Sequence, residues 1–155
     1  MGSLSVVAAG VMIALLMLGV LVAGAYIRHR LRGAVLLKQI RSTWPPEKVA
    51  LIAYTKNRKW SPYIDERILT AVAKCAVVVD RSNAQWKQRH PVEERAIRHW
   101  AGRREYNPVV ITFIPMQNPK VFRFYEAFQD TRRRRHEKLE RQTASLLAAL
   151  EAHAH

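Results

Sequence analysis

From Leu4 to Ile27 the chain runs 24 residues without one Asp, Glu, Lys or Arg. A helix of that length reaches about 36 Å at ~1.5 Å per residue, more than the ~30 Å hydrocarbon core of a bilayer. The stretch therefore reads as one membrane-spanning helix. A cleaved signal peptide is the competing reading, and Ala23-Gly24-Ala25 has the small residues of a cleavage site. Against it, no Lys or Arg precedes the apolar run, which also exceeds the usual ~7–15 residues of a signal sequence. The span is expected to be retained. N-myristoylation fails on its third requirement: Met1-Gly2 fits, but Val6 stands where Ser or Thr is needed.

The exit from the span is basic. Tyr26 suits the headgroup level, and Arg28, His29, Arg30 and Arg32 follow at once. The three arginines are candidate contacts for anionic lipid heads, with cardiolipin a natural counter-charge. The positive-inside rule points the C-terminal body toward the cytoplasm or the mitochondrial matrix. Small residues mark the span itself. Gly10, Ala14 and Gly24 lie along one stripe, while Ala8, Gly19 and Ala23 form a second on the roughly opposite side. Small residues let helix backbones approach closely, so Gly10, Ala14, Gly19, Ala23 and Gly24 are candidate helix-packing positions.

The rest of the chain is polar and strongly basic. All 26 Lys and Arg and all 12 Asp and Glu follow the span, giving a formal charge of +14. Apolar residues at 49% exclude a fully disordered chain. The pattern reads mainly helical. The sequence divides into a transmembrane anchor (1–27), a basic amphipathic stalk (28–42), an irregular helical region (43–118) and a C-terminal helix with its tail (119–155). Thr43-Trp44-Pro45-Pro46 should break the stalk. A short helix is expected over 47–55, opened by Pro46. Another starts at Ser61-Pro62 and shows one apolar face from Ile64 to Val79. Pro91 opens a helix that Gly102 closes. Val109 to Ile114 is β-branched and reads as a lone strand or an extended packing segment. A long helix is expected from about Lys120 to Ala152. On it Phe124, Phe128, Leu139, Leu146 and Leu150 are candidate contacts to a partner. Short helices joined by irregular stretches suggest a chain that packs over larger neighbours.

Chemistry is sparse. The six histidines include no His-x-x-x-His pair with a Glu base, and Cys75, the single cysteine, cannot build a thiolate metal site. Cys75 is expected mid-helix as a buried, inert thiol. His153-x-His155 is a solvated tail. Asp65-Glu66 and Glu93-Glu94 are sequence neighbours, which on a helix point in different directions and make no acid/base dyad. There is no Gly-rich phosphate loop and no nucleophile elbow. The reading is non-catalytic, with no cofactor and no metal. Arg132-Arg133-Arg134-Arg135 is a candidate phosphate-binding run, but no aromatic stacking platform interleaves it. A solvated helical face or a protein contact is preferred, and nucleic acid is not the favoured partner. Trp44, Trp60, Trp86 and Trp100 serve equally as core or interface anchors.

An uncharged N-terminal span ending Ala25-Tyr26-Ile27, followed by His29-Arg30, resembles the MWFE-type accessory subunit of mitochondrial complex I. Trp60-Ser61 leading into Asp65-Glu66-Arg67-Ile68 is similar to a Trp-Ser start in that family, and Leu4-Ser5-Val6 is a further echo. The likeness covers about the first 70 residues. The family is shorter, so the region beyond residue 80 has no counterpart. In that family the body faces the intermembrane space, opposite to the charge rule. The resemblance implies a structural role beside the membrane arm and carries over no catalytic residue. The expected function is a non-catalytic accessory subunit of a mitochondrial inner-membrane respiratory complex, complex I first. Cytochrome oxidase, the bc1 complex or ATP synthase are alternatives, as is a membrane-tethered nucleic-acid or ribosome-binding protein.

Overall fold

A computed structural model describes residues 2–102, 108–131 and 136–154, with side chains over 10–153. The chain forms two compact units, 1–38 and 39–155. The first unit is helical. It belongs to α1, Gly2–Thr43, which is unbroken through the expected anchor and stalk and stops one residue before Trp44-Pro45-Pro46. Proline lacks the N–H that would continue the ladder and disfavours helical geometry in the residue before it.

The second unit is built on a sheet that the helical reading did not anticipate. Its strands are β1 (Ala50–Tyr54), β2 (Ala76–Asp80), β3 (Val109–Thr112) and β4 (Lys120–Arg123). Their order is β2-β1-β3-β4, with β1 and β2 parallel and the other pairs antiparallel. The crossover from β1 to β2 is one helical passage: α2 (Ser61–Tyr63), a π-helical stretch (Ile64–Leu69) and α3 (Thr70–Val72). Then come α4 (Trp86–Arg89), α5 (Pro91–Ala96), a second π-helical stretch (Ile97–Ala101), α6 (Phe124–Thr131) and α7 (Glu137–Ala154).

Three expectations change. Residues 50–54 are strand, not helix. β1 is buried along its whole length, and a short apolar run covered on both faces carries no alternation to separate strand from helix. The helix starting at Ser61 ends at Val72, and Ala76–Asp80 turns into β2. Three consecutive valines favour the pleated sheet, where their branched carbons pack without crowding a preceding turn. The long C-terminal helix is β4 followed by α6 and α7, with residues 132–135 outside the described ones.

The sheet has its helices on two sides. On one face Ile52, Val110 and Phe122 meet Ile64, Ile68 and Val72 of the crossover, Phe124 and Phe128 of α6, and Leu139, Leu146 and Leu150 of α7. The π-helical stretch Ile97–Ala101 contacts β3 and β4. Gly102 ends it with φ +91, a conformation side chains rarely adopt, and donates its N–H to the Ile97 carbonyl at 3.2 Å.

Candidate functional site

In α1, residues 10–32 are all exposed, and the helix from Gly10 onward is long and apolar enough to cross a membrane. A side chain added at Gly10, Gly19 or Gly24 would meet nothing within 4 Å. Ala14 and Ala23 are exposed on the same helix. Gly10, Ala14, Gly19, Ala23 and Gly24 are thus uncovered among the described residues. Arg28, Arg30 and Arg32 stand exposed just past the apolar run, with the Arg30 guanidinium carbon 5.9 Å from the Tyr26 ring centroid.

The proposed partner contacts are placed differently. Phe124 and Leu146 are 0% exposed, and Phe128, Leu139 and Leu150 are buried with them in the chain's own core. They face the sheet because α6 and α7 fold back over it. The intervening Arg132–Arg135 lies outside the described residues. Asp130 meets the Lys138 ammonium at 3.4 Å, which also binds Glu126 at 3.2 Å. Hydrogen bonding to Glu126, reinforced by Asp130, raises the Lys138 ammonium above its usual range.

The parallel pair brings polar groups to its carboxyl ends, where ligands often sit in α/β folds. Tyr54 ends β1 and Asp80 ends β2, in register. Tyr54 Oη donates to Asp65 Oδ1 at 3.4 Å. Burial, then the charges of Asp65 and Asp80, push the phenol up and keep it protonated. Asp80 meets Lys56 at 3.4 Å and accepts from the Ser82 N–H at 2.9 Å. Burial pulls its carboxyl up, but the bonds from Ser82 and Lys56 outweigh this and hold it below the usual range. Each carboxylate is therefore engaged separately. The same holds for the adjacent acids: Glu93 accepts from Trp44, whereas Glu94 pairs with Arg98.

A second polar spot was not foreseen. Glu93 is 8% exposed, accepts the Trp44 Nε1 hydrogen bond at 2.7 Å and lies 3.8 Å from His90 Nδ1. The Trp44 ring meets Phe113 edge-on at 5.5 Å, and Phe113 meets Trp100 at 5.1 Å. Trp44 and Trp86 are buried, Trp60 and Trp100 half-buried. Cys75 precedes β2 rather than sitting mid-helix. Its thiol donates to the Val72 carbonyl at 3.4 Å, and burial pushes it up despite Lys48.

Three open clefts mark the helical side. One of about 230 Å³ lies by Trp60 and Phe128. One of about 310 Å³ lies between Tyr63 and α7, and one of about 490 Å³ between β4 and α7. Among the described residues no three His, Cys, Asp or Glu side chains gather as metal ligands. Neither a protein-family model, nor a curated protein, nor a solved structure matches this chain.

Proposed function

We propose that this chain is a single-pass membrane protein with a non-catalytic, accessory role, in which α1 anchors the small α/β body to a larger membrane assembly. One observation carries the reading: α1 presents an uncharged, exposed apolar surface from Gly10 through Ile27 and then Arg28, Arg30 and Arg32. An apolar surface of that length is costly in water and stable in lipid, and the arginines meet anionic headgroups where it ends. Because α6 and α7 cover the chain's own sheet, the partner contacts are proposed on α1. Gly10 and Gly24 leave room there for another helix.

Within this reading the mitochondrial inner membrane is the proposed location and complex I the first assembly, on the Ala25-Tyr26-Ile27 and Trp60-Ser61 resemblance. Cytochrome oxidase, the bc1 complex and ATP synthase remain alternatives on the same features. Cardiolipin is the proposed lipid partner. Native-gel fractionation in mild detergent tests the assignment. Co-migration with NADH–quinone oxidoreductase activity supports complex I, and co-migration with another respiratory activity moves the assignment there. Recovery as a free monomer with its own activity overturns it. Gly24→Leu should release the chain from the assembly more than Leu16→Ala does, because added bulk blocks close helix approach.

A further inference from the structure

The turn after β1 is held rigidly. The Lys56 N–H donates to Ser82 Oγ at 2.7 Å and the Asn57 N–H to Ser61 Oγ at 2.9 Å. Asn57 Oδ1 accepts from the Lys59 N–H at 3.0 Å, and its carbonyl accepts from the Trp60 and Ser61 N–H groups. Trp60 Nε1 donates to the Thr55 carbonyl at 2.9 Å, which fixes the indole. This network aims two exposed cations, Arg58 and Lys59, into solvent beside a fixed aromatic ring. Among the described residues neither has a carboxylate partner. The carboxylates of neighbouring α6, Glu126 and Asp130, are both engaged by Lys138.

The ring lines the 230 Å³ cleft together with Lys59, Phe128, Gln129 and Thr131. The Trp60 and Phe128 centroids are 6.2 Å apart and their planes are tilted by 41°. Thus the fold supplies what the sequence lacked: an indole held against Phe128, 68 residues away in the chain, beside two cations that have no carboxylate partner among the described residues. Stacking rings flanked by basic side chains are the arrangement by which proteins hold single-stranded nucleic acid without reading its sequence.

We propose that this cleft binds a nucleotide unit, with its base against the half-buried Trp60 ring that the buried Phe128 backs, and its phosphate on Arg58 and Lys59. A nucleotide offers a flat apolar base face with an anionic phosphate a few ångströms away, and this surface presents a ring and cations to match. The unit can belong to a single strand or to a free nucleotide, and the strand is the favoured source given the +14 charge of the chain. The four arginines at 132–135 follow Thr131 in sequence and are the competing origin of non-specific affinity.

The test uses the full chain in detergent and a fluorescein-labelled uridine oligonucleotide of about twelve residues, read by anisotropy. Binding should weaken steeply with salt, and Lys59→Ala should lower the salt slope by about one. Trp60→Ala should weaken binding about tenfold or more, as expected for losing one stacked base. Trp60→Phe also loses the Thr55 bond but keeps a ring, and should stay within about threefold of the parent. Displacement of the strand by millimolar AMP supports a free nucleotide as the source, and resistance to AMP supports the strand. Absence of binding, or binding that ignores Trp60→Ala, overturns the proposal. Equal losses in Trp60→Ala and Trp60→Phe also overturn it, because the ring would then matter only to the turn.

Discussion

Trp44 Nε1 donates to Glu93 Oε1 at 2.7 Å across 49 residues of chain, in a site where both side chains are buried. Trp44 follows the last residue of α1, and Glu93 lies in the first turn of α5. A hydrogen bond to a buried carboxylate is among the stronger ones, and removing its donor leaves Glu93 with only the longer 3.8 Å contact to His90. Trp44→Phe keeps most of the ring contact with Phe113 but not the donor. It should destabilise the body by about 1–3 kcal/mol in denaturant titration.

The core on the helical side sets a larger effect. Leu146 is fully buried against the sheet, and Leu146→Ala should cost about 2–5 kcal/mol through lost transfer and cavity energy. Leu16→Ala, in the exposed stretch of α1, should leave the unfolding midpoint of the body unchanged. Equal effects from the two would mean that residues 39–155 do not carry their own core.

Asp80 predicts the sign of one pH dependence. Its carboxyl titrates lower in the folded chain than in the unfolded one, so it contributes stability above its unfolded value of about 3.9. That contribution fades as pH falls through the folded value. Asp80→Asn should therefore narrow the stability difference between pH 6 and pH 3. Lys56→Ala should do so in part, since Ser82 remains as a donor.

Cys75 should be slow to alkylate. Burial holds its thiol above the ordinary range, and the reactive thiolate is correspondingly scarce. Ellman's reagent at pH 8 should react with the folded chain about tenfold more slowly than with the chain in guanidinium. A thiol equally fast in both states would place Cys75 at the surface.

The punctuation of the fold was legible in the residues. Thr43, Ser61, Pro91 and Gly102 mark helix ends where proline geometry and a positive φ leave little choice. The apolar length of α1 was equally plain. β1 and β2 were not, because Ala50–Tyr54 and Ala76–Asp80 are short apolar runs. Val72 and Ala76 also keep the spacing of the helix before them. Strand pairing is a long-range property: Ala50 meets both Ala76 and Thr112, and nothing local announces either partner. Phe124 and Leu146 cover that sheet, a role that no local pattern around either residue announces. The cleft beside Trp60 was hidden for the same reason, since Phe128 reaches it only through the return of α6.

Alkaline carbonate extraction of membranes carrying the full chain tests whether α1 spans the bilayer. The unaltered chain should stay in the pellet, because α1 buries its apolar length in lipid. Leu16→Lys together with Val20→Lys should shift the chain to the supernatant, since charges at mid-span cost about 2.5–3.5 kcal/mol each. Release of the unaltered chain by carbonate, with the body still folded, would contradict a spanning α1.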